Sequence, residues 1–376
     1  MNEMSALTSL NLGIVGACGR GGSFKAACDA IGRVRVHAVC DIDANGLGAA
    51  AERLGASERY ERYEDMLSSS ELDAVIVGTP MHLHVPHSLA ALEHGLHVLC
   101  EVPAGVSVEE CRTLTETCVR GDAIYMMAEN CNYTRTNAIV GALVAAGLFG
   151  VPYYAEGEYL HELKRLNERT PWRRTWQTGV DGVTYGTHAL GPILQWMQGD
   201  RVESVCCAGT GHHYRDPRGD AYGAQDTSVM LCRMRSGGLI KIRVDMLSDR
   251  PDAMSTYELQ GTDGAYESPR APGEAHRVWL RDRSSETAWS DLEDLAIEFL
   301  PDYWQRGREQ AAGAGHDGAD FFEVLDFFDA IEGGRPCPIG IHEAMDMTLP
   351  GLLSQASIRD GGSWKQVPDS RDWCKP

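Results

Sequence analysis

Three stretches of the sequence place chemistry-bearing residues at spacings that suggest a use for them. The first is Gly13-Ile14-Val15-Gly16-Ala17-Cys18-Gly19-Arg20-Gly21, which follows an apolar run and opens a helical pattern. Glycines in such a place let the backbone turn tightly and bring N–H groups against a pyrophosphate at the positive end of a helix. The pattern departs from G-x-G-x-x-G in its middle glycine, which is Cys18 with Gly19 beside it. Asp41 closes the next strand twenty residues past Gly21. A carboxylate there accepts hydrogen bonds from the adenosine ribose hydroxyls and repels a 2′-phosphate, so NAD is favoured over NADP. Gly16, Cys18, Gly19, Arg20, Gly21 and Asp41 are the expected cofactor contacts. The second stretch, Gly78-Thr79-Pro80, ends a later strand, where the loops of such a sheet face the cofactor. The third is His82-x-His84-x-x-His87. Its spacing offers two metal ligands, but no third acidic or cysteine ligand is evident, and Pro86 marks a loop entering a helix. No metal is expected.

These residues need elements to hold them, and the first third of the chain supplies an alternation. Apolar strand patterns at residues 11–16, 34–40, 72–78, 97–100 and 123–128 are separated by helical patterns at 21–31, 44–54, 87–94 and 107–120. That alternation predicts βαβ units and a parallel sheet covered on both faces. Beyond residue 130 the rhythm changes. A helix over 137–146 leads into longer strands, of which 239–247 sends Ile240, Ile242, Val244 and Met246 one way and Lys241, Arg243 and Asp245 the other. Residues 202–210 and 227–234 read similarly, and 212–223 reads as a surface loop. Two helices close the chain. In 321–331 the stripe is Phe321, Val324, Leu325 and Phe328; residues 342–358 form the second, expected to kink or break at Pro350. The fold class is therefore α/β. An N-terminal doubly wound Rossmann sheet over 1–129 is joined to a C-terminal α/β domain over 130–376 with an open, largely antiparallel sheet, whose last helices can pack back on the first domain.

Size and charge agree with this reading. A chain of 376 residues is long for one core and comfortable for two. A formal net charge of −20 repels phosphate backbones, and no basic patch offsets it, which argues against a nucleic-acid partner. No apolar window approaches the ~18 residues of a membrane span. The twelve cysteines lie mainly in apolar runs and form no Cys-x-x-Cys pair, as expected of buried free thiols. With no secretory leader in view, the expected location is the cytoplasm.

Against that frame, Thr79-Pro80-x-x-x-His84 followed by Gly95-Leu96-His97-Val98-Leu99-Cys100-Glu101 resembles the Gfo/Idh/MocA oxidoreductases of sugars and inositols, over essentially the whole chain. The resemblance adds His84 and Glu101 to the cofactor side. Most members continue with Glu-Lys-Pro, and their lysine bonds to the substrate hydroxyl being oxidised. Here the run is Glu101-Val102-Pro103, and valine cannot transfer a proton. Tyr185-Gly186-Thr187-His188-Ala189-Leu190-Gly191-Pro192, with Trp196 a turn later, is similar to the signature of the family's NAD-dependent glycosidases, typified by α-N-acetylgalactosaminidases, which also carry Glu-Val. Glu129-Asn130 before Tyr133, Gly157-Glu158-Tyr159-x-His161, and Gly315-His316-x-Gly318-x-Asp320 extend the match.

The resemblance implies redox-neutral chemistry. Hydride leaves C3 of the sugar, the ketone acidifies C2, the aglycone leaves C1, water adds, and the hydride returns. Such a site needs bases for the C3 hydroxyl and C2 and an acid at the glycosidic oxygen. His188 and Tyr185 stand three apart, on one face if the segment is helical, and are the expected proton carriers. Tyr159 and Glu129 support them. Lys164, Trp172, Arg173, Arg174 and His161 are expected around the sugar, where aromatic planes stack and arginines fork onto an anionic group such as the sulfonate of a sulfoquinovoside. Two alternatives stay open: a net NAD-dependent sugar or glycoside dehydrogenase, and an NAD(H)-binding regulatory protein without turnover. A homo-oligomer, dimer or tetramer, is expected through the open sheet, whose free face would otherwise expose an apolar patch.

Overall fold

The computed structural model describes residues 9–375 except positions 252 and 272. The first sheet consists of β1 (Leu10–Val15), β2 (Val34–Cys40), β3 (Glu58–Tyr60), β4 (Ala74–Val77), β5 (His97–Glu101) and β6 (Tyr125–Ala128). Their order is β3-β2-β1-β4-β5-β6, and every pairing is parallel. Between them run α1 (Lys25–Ile31), α2 (Ala44–Leu54), α3 (Tyr63–Ser69), α4 (His84–Glu93) and α5 (Val108–Arg120). All four residues of β4 and of β6 are buried, as a strand covered on both faces requires. Local signals set the helix ends: Asp43 caps α2 through Gly46 N–H, Ser107 caps α5 through Glu110 N–H, and Gly55 closes α2 in the left-handed region. The order reverses between β1 and β4, and ligands bind at such a switch point.

The remaining helices are α6 (Arg135–Ala145), α7 (Lys164–Arg169), α8 (Trp172–Trp176), α9 (Thr187–Trp196), α10 (Ala296–Phe299), α11 (Asp302–Ala311), α12 (Ala319–Gly333) and α13 (Ile341–Arg359). The second sheet comprises β7 (Pro152–Leu160), β8 (Val202–Gly209), β9 (Thr227–Met234), β10 (Leu239–Asp245), β11 (Met254–Gly261), β12 (Gly264–Glu267), β13 (Arg277–Leu280), β14 (Ser290–Asp291) and β15 (Lys365–Gln366). Its order is β14-β13-β12-β11-β7-β10-β9-β8-β15, antiparallel except for the β7–β10 pair. Ile240, Ile242 and Val244 are buried on one face, where α9 packs on β7 and β11 and α13 packs on β8. Helix α12 packs on α1, and α13 also reaches α5.

The structure corrects several sequence expectations. The free sheet face mixes partly exposed apolar side chains, among them Tyr154, Leu231, Leu239 and Trp279, with charge. It carries charge pairs, Lys241 with Glu156 and Arg243 with Glu158, with Arg270 reaching Glu158 and Glu258. Asp245 faces the same way as Arg243, which reaches it at 3.2 Å, but is buried there, accepting from Thr227 Oγ1 and the N–H groups of Leu247 and Ser248. Helix α13 is not interrupted at Pro350, and around it Leu349 and Leu352 are buried and Gly351 lies against the backbone of residues 183–184. Helix α12 has no single stripe: Phe322 and Phe327 are buried too, with Asp320 and Glu323 among them. The helix after the glycine turn begins as a 3-10 segment, Arg20–Phe24, before α1. All twelve cysteines are free. No helix among the described residues is long and apolar enough to cross a membrane.

Candidate active site

Two glycine loops meet at the switch point. Gly16 has φ +83°, and a Cβ on it would lie 2.5 Å from the Gly78 carbonyl oxygen. A Cβ on Gly78 would fall 2.4 Å from Gly21 Cα. Only glycines let the β1 turn and the end of β4 touch, and the bare backbone they leave is the cradle a pyrophosphate needs. Cys18 keeps this geometry without being glycine, since its backbone N–H donates to Asp41 Oδ2 at 2.8 Å. Asp43 N–H donates to the other Asp41 oxygen at 3.0 Å. Each oxygen retains a lone pair for a ribose hydroxyl. Burial and Asp41 push the Cys18 thiol up to about 11.

Gly19 N–H closes the turn onto Gly16 O at 3.2 Å. Arg20, expected at the cofactor, points into an acidic cluster. Its Nε donates to Glu101 at 2.6 Å and its Nη1 to Asp320 at 2.6 Å, which ties the glycine loop to β5 and α12. His84, expected to touch the cofactor, is instead buried between two carbonyls, Pro103 O at 2.8 Å and Thr79 O at 2.9 Å. Burial opposes the cation, but Cys100 beside the ring and the two carbonyl acceptors outweigh it, and the pKa is raised to about 9. The ring holds the Thr79-Pro80 loop against Val102-Pro103 and has no nitrogen left for a ligand. His82 stacks on Trp176 at 4.8 Å, and His87 meets Thr79 Oγ1. His84 and His87 thus both hold Thr79, while His82 packs on Trp176.

Across the cleft, Glu129, Tyr159, Tyr185 and His188 come together. Glu129 follows β6 and is fully buried; its Oε1 lies 2.6 Å from His188 Nδ1 and also accepts from Cys131 N–H. His188 is the second residue of α9, whereas Tyr185 precedes the helix, so the two do not share a helical face. Their rings still meet edge-on at 5.4 Å, and Tyr159 from β7 stands 5.5 Å from Tyr185 and 5.3 Å from His188. Tyr159 Oη lies 2.9 Å from His161 Nδ1. Burial opposes the His188 cation, but Glu129 and Cys131 beside it outweigh that and hold its pKa well above the ordinary imidazole value. Burial raises the Tyr159 phenol strongly.

Two glycines explain how α9 reaches this position. A Cβ on Gly157 of β7 would fall 2.2 Å from Ala189 O, and one on Gly191 would fall 2.9 Å from Glu129 Cγ and 2.6 Å from Asn132 Oδ1. Bare backbone on strand and helix lets α9 wedge between β7 and the Glu129 turn. Tyr257 Oη then donates to His188 O at 2.6 Å.

The expected sugar-binding cations divide. Lys164 is spent on Leu247 O at 2.7 Å and Asp249 at 2.6 Å. Arg174 pairs with Asp216 and Glu168. Arg173 instead bonds two neutral groups, Gln177 Oε1 at 2.6 Å and Thr170 Oγ1 at 3.1 Å, and lies over the Trp172 ring. It is close enough to stabilise a charge on Tyr159. Val102 is packed in the core, so nothing at its position replaces the missing lysine. Cys131, Tyr257 and Asn132 were not anticipated. Cys131 was one thiol among twelve, and its one signal was standing two residues after Glu129.

A doubly wound sheet with a glycine cradle at its switch point, facing a buried carboxylate–imidazole–phenol group, defines an NAD-dependent enzyme of small molecules. The sequence profile of the oxidoreductase family with an NAD-binding Rossmann fold matches residues 10–129. That of the glycosyl hydrolase 109 C-terminal domain matches residues 133–373. A glycosyl hydrolase family 109 protein of Saccharopolyspora erythraea is 29% identical, over 96% of this chain and 83% of its own. A Shewanella oneidensis protein named alpha-N-acetylgalactosaminidase is 27% identical, over 96% and 84%. In fold, levoglucosan dehydrogenase in complex with NADH and levoglucosan superposes with a TM-score of 0.80 at 19% identity, covering 96% of this chain and 99% of that one. The chain belongs to the Gfo/Idh/MocA oxidoreductases and, within them, to glycosyl hydrolase family 109. It is an NAD-dependent enzyme acting on glycosides.

Proposed function

We propose that the enzyme hydrolyses a glycoside without net oxidation, with the Glu129–His188 pair as its principal base. The observation that carries this is the 2.6 Å contact between a fully buried carboxylate and His188 Nδ1, in a chain with buried Val102 in place of the dehydrogenase lysine. Bound NAD supplies reversible hydride acceptance at C3 of the sugar. Glu129 fixes the imidazole and stabilises its cation, leaving Nε2 for substrate. His188 and Tyr185 take the protons from the C3 hydroxyl and from C2. Their return protonates the departing glycosidic oxygen and the restored C3 hydroxyl, and the water that replaces the aglycone leaves its hydroxyl on C1 and gives its proton to C2. Tyr159 closes the pocket between them, hydrogen-bonded to His161. Gly16, Cys18, Gly19, Gly21, Asp41, Thr79 and Pro80 hold the cofactor, with Arg20 and Glu101 bracing the loop.

Lys164 and Arg174 are already neutralised, so of the three cations only Arg173 is left to meet an anionic group on the sugar. The name of the Shewanella relative makes an α-N-acetylgalactosaminide the first substrate to try. The experiment is incubation with aryl glycosides, neutral and sulfonated, and NAD⁺ in D₂O. Aglycone release with deuterium at C2 and no lasting NADH absorbance is expected, and His188→Ala abolishes it. Stoichiometric NADH with the glycosidic bond intact would instead make the enzyme a dehydrogenase.

A further inference from the structure

The donor atoms of Glu129, Cys131 and His188 all lie within 4.8 Å of one another, and no other such group of three occurs among the described residues. Glu129 Oε2 is buried without a hydrogen-bond partner, and so are both amide atoms of neighbouring Asn132. Polar atoms left this way lack a ligand they could accept or donate to. Cys131 and His188 are both partly open to the cleft, so a small ion has a path in. The Cys131 thiol sits among His188, Tyr257 and Ser255, whose Oγ at 3.8 Å is a weak partner for sulfur. Tetrahedral zinc ligands stand at about 2.0–2.3 Å from the metal, and the donors then sit roughly 3.5 Å apart. Here the closest pair must open and the widest close by about 1 Å, within reach of side-chain rotation.

We infer that Glu129, Cys131 and His188 form a three-ligand site for a thiophilic divalent cation, Zn²⁺ by its chemistry, and that filling it stops the enzyme. Carboxylate and thiolate together cancel the 2+ charge, so the buried site takes the ion without a net charge. Sulfur and imidazole select Zn²⁺ and Cd²⁺ over Mg²⁺ and Ca²⁺, which prefer all-oxygen shells. The fourth position faces the cleft and is left to water. Coordination occupies the imidazole and carboxylate through which protons move, and so turnover ends. Binding stands on the geometry alone, whereas the inhibition rests on the function proposed above.

The test titrates the NAD⁺-bound enzyme with Cd²⁺ under a phosphine reductant and reads the ultraviolet sulfur-to-cadmium charge-transfer band. Cys131→Ser serves as the comparison, an isosteric change read against its own metal-free rate, because Cys131 stands beside His188. Expected is one saturable equivalent of band in the parent that Zn²⁺ displaces and the variant lacks. The variant should bind Cd²⁺ at least about 100-fold more weakly, beyond the ~10–100-fold that losing an outer partner costs. Zn²⁺ should inhibit glycoside cleavage by the parent, with EDTA restoring it, and spare the variant. A band undiminished in Cys131→Ser, or none in the parent, would overturn the site. Binding with turnover intact would overturn the shut-off. A normal Cd²⁺ titration in an enzyme that cleaves no glycoside would support the metal site while refuting the proposed function.

Discussion

At the scale of single residues, the site turns on one proton shared between His188 and Glu129. The imidazole is held protonated well above its ordinary value by Glu129 and Cys131, against burial. A base must first be empty, so kcat/KM should rise with pH through the apparent value of the pair. Glu129→Gln removes the favourable carboxylate and leaves burial opposed only by Cys131. The acid limb of the profile should then move to lower pH, while the maximal rate drops by about 10²-fold or more. Paired pH–rate profiles check both statements, and a limb that stays in place would remove Glu129 from the dyad. The same scale shows why Lys164 and Arg174 were misjudged. Composition makes a cluster of cations look available, yet their partners, Asp249 and Asp216, lie 85 and 42 residues further along the chain and meet them only in three dimensions.

At the scale of elements, the question is what lets α9 approach β7 and the Glu129 turn. Gly191→Ala puts a methyl 2.9 Å from Glu129 Cγ and 2.6 Å from Asn132 Oδ1, and both must shift. The expected result is a large loss of kcat with NADH binding unchanged, and about 1–3 kcal/mol of stability lost to overpacking. Fluorescence titration of NADH beside a turnover assay separates the two effects. Gly78→Ala is its counterpart on the cofactor side: a Cβ 2.4 Å from Gly21 Cα pries the two glycine loops apart. NADH affinity should fall by at least tenfold there while the imidazole–carboxylate contact survives. Both glycines stood out in the sequence within motifs, but their neighbours did not. The first sheet was legible because β1, β2, β4 and β5 are short apolar runs punctuated by glycine or helix. β3 was missed because Glu58-Arg59-Tyr60 is a three-residue edge strand with no apolar signal. The segment from Arg277 to Ala311 was equally opaque, since its short strands and helices are defined by what they pair with. Tyr185, by contrast, reached its partner without the helix that the spacing suggested, because the aromatic contact forms across the helix start.

At the scale of the whole molecule, Arg20 joins the glycine loop to Glu101 and to two acids of α12, Asp320 and Glu323, whose pKa values shift in opposite directions. Asp320, hydrogen-bonded by His316 and Arg20, is held below the usual aspartate range despite its burial. Glu323 lies one turn further along α12, fully buried, with neither oxygen hydrogen-bonded. Burial first, then the charge of Asp320, pushes its pKa well above the usual value, outweighing Arg20, which is hydrogen-bonded to Asp320 and Glu101 and stands 3.8 Å from Glu323. Glu323 therefore stays protonated in the fold. From the ordinary glutamate value of 4.5 upward the unfolded chain gives up this proton and the folded chain keeps it. Stability thus declines with rising pH until the folded group also ionises. Asp320 acts in the other sense, contributing stability above the ordinary value of 3.8 that is lost as the solution is acidified. Glu323→Gln keeps the shape and removes the titration. Across a series of buffers, its urea midpoint should track the parent under acid conditions and exceed it increasingly towards alkaline pH, with the m-value unchanged. Midpoints that run parallel at every pH would mean that Glu323 is ionised in the fold, with Arg20 as its counter-ion. Asp320→Asn should do the reverse, falling below the parent at neutral pH and converging with it in acid, and it should loosen NADH as the glycine loop loses its anchor on α12.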